Sequence, residues 1–181
     1  MTCIVGLVED GKVWIGGDSA GVSGLDLRVR ADEKVFVRSN MIFGFTGSFR
    51  LGQILRFTFN PPDQSVGCDD YAYLCGPFID ALIRHLKDKG FARIKDGEVE
   101  GGTFLLGYKG SLYCIYDDFQ VAKSVDNFHA VGCGDDYALG ALEVLMTKES
   151  DVSPSNKLKI ALKVAEKFSA GVRRPFIVRS L

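Results

Sequence analysis

The apolar positions of the chain alternate between strand-like and helix-like periods. Residues 2–8, "TCIVGLV", and 12–18, "KVWIGGD", are dense in β-branched and other apolar residues, and Asp10-Gly11 stands between them. This pattern predicts two strands joined by a tight hairpin turn. "KVFV" at 34–37 and "MIFGFT" at 41–46 read as a second strand pair joined by "RSN". The period then turns helical. In "SFRLGQILRFTF", Leu51, Ile54, Leu55 and Phe59 share one helical face. "NPPDQSVG" breaks that run. Over 69–89, Tyr71, Leu74, Cys75, Phe78, Ile79, Leu82, Ile83 and Leu86 fall on one face of a longer helix, and Gly90 ends it. Pro77 inside this stretch predicts a kink, or a start nearer Gly76. The polar, Gly-rich stretch 91–102 reads as a loop or ragged hairpin. Strand patterns return at 103–108, 111–116, 119–123 and 128–132. Two helices close the chain near 135–148 and 155–169, the second led by the cap-like "SPSN".

This order suggests a layered α+β fold; several such folds share it, and one of them is two sheets packed face to face with helices outside. No internal repeat, low-complexity tract or linker divides it, and 181 residues are enough for one well-filled domain, 1–181. A net charge of −1 gives no electrostatic reason to expect nucleic acid or an anionic membrane as partner. The five cysteines (Cys3, Cys68, Cys75, Cys114 and Cys133) include no pair at metal-ligand spacing and suggest no disulfide framework. A reducing, cytoplasmic setting fits them best. The opening "CIVGLV" lacks a basic flank and runs into Glu9 and Asp10, so it does not read as a signal peptide. No apolar run is long enough to span a bilayer.

The chemistry begins at Thr2. A Thr behind a removable Met can become the first residue of the mature chain, with a hydroxyl and a free amine on one residue. The hydroxyl is a weak nucleophile that needs an adjacent base. The α-amine, with a reference pKa of about 8, can serve. A nearby Lys lowers that pKa by charge repulsion, and a carboxylate holds the Lys. Asp18 closes the second predicted strand and Lys34 opens the third. A developing oxyanion needs fixed backbone N–H donors, and "FGFTGSF" places Gly47 where a strand meets a helix. Each residue also has an ordinary reading: Thr2 a strand residue, Asp18 a turn residue, Lys34 a surface lysine, Gly47 a helix-start glycine. His85 and His129 have no Ser elbow and read as structural residues. Asp69-Asp70, Asp117-Asp118 and Asp135-Asp136 read as helix-start or turn charges, and "VRRPF" at 172–176 as a basic surface stretch.

Taken jointly and in order, the segments "TCIVGLVEDGKVWIGGDSAG", Lys34, "MIFGFTGSFR" and "HAVGCGDDYALGALEVL" resemble the β-type subunits of proteasomes, and especially the HslV-type peptidase, within the N-terminal-nucleophile hydrolases. The resemblance spans most of the chain and is loosest from about 60 to 102. It implies a four-layer αββα sandwich and a threonine-type endopeptidase. Thr2 would be the nucleophile, its amine the base, Lys34 the tuning cation, Asp18 its orienter and the Gly47 N–H an oxyanion donor. Met1 would have to be removed, and the absence of a longer leader matches HslV-type subunits. Cys133 stands where the family has Ser between two glycines. In "EKFSAG", Ser169 matches a family Ser and Glu166 a usual Asp. The resemblance also implies a ring of identical subunits, fed by an ATP-driven unfoldase and acting on peptide or unfolded protein, with no cofactor and no metal. Three other readings stay open: a non-catalytic or unprocessed ring subunit, a small-amide amidase of the same fold, and a β-sandwich binding module.

Overall fold

The computed structural model describes every residue except 96–97 and 148–150. β1 (Cys3–Glu9) and β2 (Lys12–Gly17) form the expected hairpin. Asp10 and Gly11 both take positive φ, the turn that matches the right-handed twist of its strands. β3 (Ala20–Ser23) and β4 (Asp26–Val29) pair only with each other, as a short ribbon that the hydrophobic pattern did not reveal. β5 (Val35–Arg38) and β6 (Met41–Phe45) follow as expected.

α1 (Phe49–Phe57) is capped by the Ser48 side chain, which accepts from the Arg50 N–H. Phe59 is buried, but lies just past the helix end rather than on its face. The segment expected as one helix over 69–89 starts with the Asp69 carboxylate capping α2 (Asp70–Tyr73). It widens into a π-helical turn at Leu74–Phe78 and continues as α3 (Ile79–Asp88). Pro77 has no N–H to donate, and the wider turn absorbs the missing bond instead of a break. The extra residue in that turn shifts the helical phase. Tyr73 therefore points into the core in place of Tyr71, and Cys75 is exposed.

β7 (Arg93–Lys95) and β8 (Glu98–Glu100) pair as the ragged hairpin, and 96–97 lie outside the described residues. β9 (Phe104–Tyr108), β10 (Ser111–Ile115), β11 (Val121–Lys123) and β12 (Phe128–Gly132) match the returning strand pattern. α4 (Asp135–Thr147) and α5 (Pro154–Phe168) follow, and the expected end of α4 at 148 lies outside the described residues. Ser153 sits at the cap position of α5, but its carbonyl rather than its side chain accepts, from the Asn156 and Lys157 N–H groups. A final strand, β13 (Ile177–Ser180), was not anticipated.

The strands build two main antiparallel sheets, ordered β12-β1-β2-β13 and β11-β10-β9-β6-β5. Three buried clusters hold them. Ile4, Val13 and Ile15 of the first sheet meet Val35, Ile42 and Leu105 of the second. Phe43, Leu106 and Ile115 pack against Leu51, Ile54, Leu82 and Leu86 of α1 and α3. Cys3, Val5 and Leu7 pack against Leu142, Leu158 and Leu162 of α4 and α5. Among the described residues no helix is long and apolar enough to cross a membrane.

Candidate active site

Antiparallel pairing brings distant segments to one end of the molecule. The register sets Cys3 opposite Gly132 and Ile4 opposite Gly17, so the start of β1 lies beside the ends of β2 and β12. The start of β5 and the end of β6 lie side by side in the facing sheet, with the Phe45 N–H donating to the Lys34 carbonyl. Thr2, Asp18, Lys34, Gly47 and Cys133 all flank these strand ends. Gly132 makes the approach possible: it takes φ +108, and a Cβ there would lie 2.2 Å from the Thr2 carbonyl oxygen.

Lys34 is the centre of the cluster. Its Nζ donates to Thr2 Oγ1 at 2.8 Å, to Asp18 Oδ1 at 2.8 Å and to the Ala20 carbonyl at 2.7 Å. An ammonium has three protons, and each finds an acceptor. The Lys34–Asp18 pair is dry, with side-chain exposures of 1% and 0%. Burial pushes the Lys34 pKa below the ordinary lysine value, and the Asp18 charge pulls the other way. Asp18 is itself fully engaged. Oδ1 also accepts from the Cys3 N–H, and Oδ2 accepts from the N–H groups of Ala20 and Arg173. Burial raises the neighbouring Cys3 thiol well above its ordinary pKa, so it stays a neutral core residue.

Lys34 has only protons to offer, so Thr2 Oγ1 accepts from it. The Thr2 hydroxyl donates to the Met1 carbonyl at 2.5 Å. The Thr2 N–H points at Cys133 Sγ, 3.3 Å away, and that thiol lies 3.4 Å from the Thr2 carbonyl oxygen. Ser169 at the end of α5 joins the set through Cys133. Its Oγ is 3.4 Å from Cys133 Sγ and donates to the Cys133 carbonyl at 3.2 Å. Gly47 takes φ +70, a conformation that favours glycine. It lines, with Met1, Gly21, Arg30 and Phe49, a cleft of about 610 Å³. Arg30 lies 3.6 Å from the centre of the Phe49 ring and is held by Asp32.

Glu166, matched to a family Asp, does not bond to Thr2, Cys133 or Ser169. Its carboxylate takes the Arg174 N–H and guanidinium instead. His85 pairs with Thr58 on the surface, and His129 sits 3.5 Å from the Tyr116 hydroxyl. Asp69, Asp118 and Asp135 cap or brace local backbone. The basic stretch at 172–176 is more than surface. Val172 is buried and the Arg173 N–H reaches Asp18. Nothing in the sequence marked that contact or the Ala20 carbonyl, because backbone atoms carry no residue-type signal.

No family model matches the chain, and neither does any curated protein. Among solved structures the chain resembles BPH from Thiobacillus denitrificans in complex with epoxomicin, at 20% identity and a TM-score of 0.84, over 99% of this chain and 98% of that one. It also resembles the eukaryotic HslV from Trypanosoma brucei, at 15% identity and TM-score 0.69, over 99% of each chain. The third is Anbu, described as an ancestral beta-subunit, from Yersinia bercovieri. There identity is 13% and the TM-score 0.66, over 99% of this chain and 81% of that one. The resemblance read in the sequence is borne out at the level of the fold: the chain has the fold of the proteasome-type N-terminal-nucleophile hydrolases.

Proposed function

We propose that the chain, once Met1 is removed, is a threonine-type endopeptidase subunit of a homo-oligomeric ring, built as a four-layer αββα sandwich. The three buried clusters support the layering, and the resemblance to HslV-type subunits supports the assembly. The observation that carries the activity is the Lys34 ammonium, dry and fully hydrogen-bonded, with the Thr2 hydroxyl as one of its three acceptors.

In this reading Thr2 Oγ1 attacks the scissile carbonyl carbon and its proton passes to the Thr2 amine. The Lys34 charge disfavours the ammonium form of that amine, so a neutral base is present near pH 7. The Gly47 N–H stabilises the oxyanion. The protonated amine then gives its proton to the leaving amine, which leaves an ester on Thr2. Water, deprotonated by the same amine, attacks the ester and restores the hydroxyl. Cys133 and Ser169 hold the amine's side of the site, and the cleft beside Gly47 receives the peptide. The pairing of ring and unfoldase belongs to the same reading.

A second reading has its own observation. With Met1 attached, Thr2 N is an amide whose hydrogen points at Cys133 Sγ, and an amide cannot act as the base. A chain that keeps Met1 is then a ring subunit without activity. The test is peptide hydrolysis by protein whose N-terminus has been read by mass spectrometry. Protein beginning at Thr2 hydrolyses peptides and Thr2→Ala does not. Inactive protein that begins at Thr2 overturns the proposal.

A further inference from the structure

α5 ends at Phe168, and the chain from Ser169 to Pro175 passes across the site before β13. This strap touches the Asp18 region repeatedly. The Arg173 N–H donates to Asp18 Oδ2 at 3.2 Å, and the Arg173 carbonyl accepts from the Ser19 N–H at 2.8 Å. The Pro175 carbonyl accepts from the Ser19 hydroxyl at 2.7 Å. One of the two N–H donors on Asp18 Oδ2 thus comes from a segment without regular structure.

The other side of the strap is fixed by Glu166. Its Oε1 accepts from the Arg174 N–H at 2.9 Å, and its Oε2 from Nε at 3.0 Å and Nη2 at 2.6 Å. The Glu166 side chain is 8% exposed beneath a guanidinium that is 65% exposed. A planar fork on a carboxylate fixes direction as well as distance. The backbone bond fixes Arg174 itself, one residue from the N–H on Asp18.

We propose that Glu166 is a positioning residue. By clamping Arg174 it holds the strap so that the Arg173 N–H completes the hydrogen-bond shell of Asp18, the carboxylate that holds Lys34 against Thr2. Glu166 acts on the site at a distance, through the strap and Asp18, without touching the reacting atoms. The effect on turnover rests on the hydrolase reading above; the effect on geometry does not.

The test uses Glu166→Ala, which removes the whole clamp, and Arg174→Ala, which leaves the backbone bond. Amide hydrogen exchange is followed at Ser19 and Arg173, with β9 and β10 as reference. Each of the two amides rests on one strap hydrogen bond, so exchange accelerates ~10-fold in Glu166→Ala. It accelerates less in Arg174→Ala and not at all in the reference strands. On protein beginning at Thr2, kcat falls ~10-fold in Glu166→Ala with KM within about two-fold, the signature of an interaction made for the chemical step. Unchanged exchange at Ser19 and Arg173 in both variants overturns the proposal. A higher KM with unchanged kcat also overturns it, because the strap would then serve substrate binding. Faster exchange in the variants, together with a wild type beginning at Thr2 that does not hydrolyse peptides, sustains the clamp while the hydrolase reading fails.

Discussion

At Lys34 three protons meet three oxygens from two segments, and two of those oxygens belong to residues that the proposed mechanism uses. Removing the side chain strands a carboxylate with no exposure to water. Breaking a buried pair costs about 3–5 kcal/mol, and the three backbone N–H groups left on Asp18 put Lys34→Ala near the lower figure. A thermal melt reads that loss, and a pH–rate profile reads the second effect. Without the neighbouring charge the Thr2 amine titrates higher, so the acid limb of peptide hydrolysis moves to higher pH and the rate at neutral pH falls at least about 10-fold. Lys34→Arg keeps the charge, but a planar fork cannot reproduce three bonds from one nitrogen, so its melt recovers more than its turnover. An unchanged profile and melt in Lys34→Ala would make Lys34 a bystander. Cys133→Ser puts a stronger hydrogen-bonding group beside Thr2 N, and activity equal to or above wild type is expected. A loss beyond about 10-fold, measured on protein beginning at Thr2, would contradict the supporting role given to Cys133. The meeting of Thr2, Asp18 and Lys34 was legible in the sequence because their side chains are chemically distinctive and each flanks a clear strand. Ala20 and Arg173 serve through backbone atoms, and no residue type announces that.

Elements place these residues, and their termini matter more than their middles. The close pass of β12 over Thr2 depends on Gly132. Gly132→Ala sets a Cβ 2.2 Å from the Thr2 carbonyl oxygen, a clash that costs about 1–3 kcal/mol by forced backbone movement. A lower melt with a loss of turnover at saturating peptide is expected; a variant that matches wild type in both would place no constraint there. The α5 end has a pH signature. Arg174 holds the Glu166 carboxyl below its usual range. A carboxylate depressed in the folded state stabilises above its unfolded pKa, about 4.3, and loses that stabilisation as pH falls through the folded value. Glu166→Gln is therefore less stable than wild type at neutral pH, by at most about 1 kcal/mol because the guanidinium is mostly exposed, and the gap closes in acid. A gap that widens in acid would contradict the assignment. The hairpins and the helices of long period were legible because a single face repeats. The phase slip at Leu74–Phe78 was not, since the pattern assumes one period throughout. The β3–β4 ribbon and β13 were missed because "AGVS", "DLRV" and "IVRS" carry only two apolar residues each, whereas the equally short β5 carries three in a row.

For the whole molecule, two facing sheets bring five strand ends to one site; the order of strand and helix segments allowed that packing among several α+β arrangements. Assembly is a different matter, since a subunit interface leaves no periodicity in a sequence of this length. Native mass spectrometry of the purified protein should show a closed ring of identical subunits, and a monomer at micromolar concentration would contradict the ring. The central claim, that Thr2 supplies both nucleophile and base, has a more direct test. BPH, which shares this fold, is described in complex with epoxomicin, and an epoxyketone offers two electrophilic carbons that suit a hydroxyl and an amine on one residue. Protein beginning at Thr2 is treated with an epoxyketone, digested and mapped by mass spectrometry, beside protein that keeps Met1. The adduct is predicted on the peptide that starts at Thr2, and absent when Met1 remains. An adduct on Cys133, or peptide hydrolysis that persists with Thr2 unlabelled, would contradict the account.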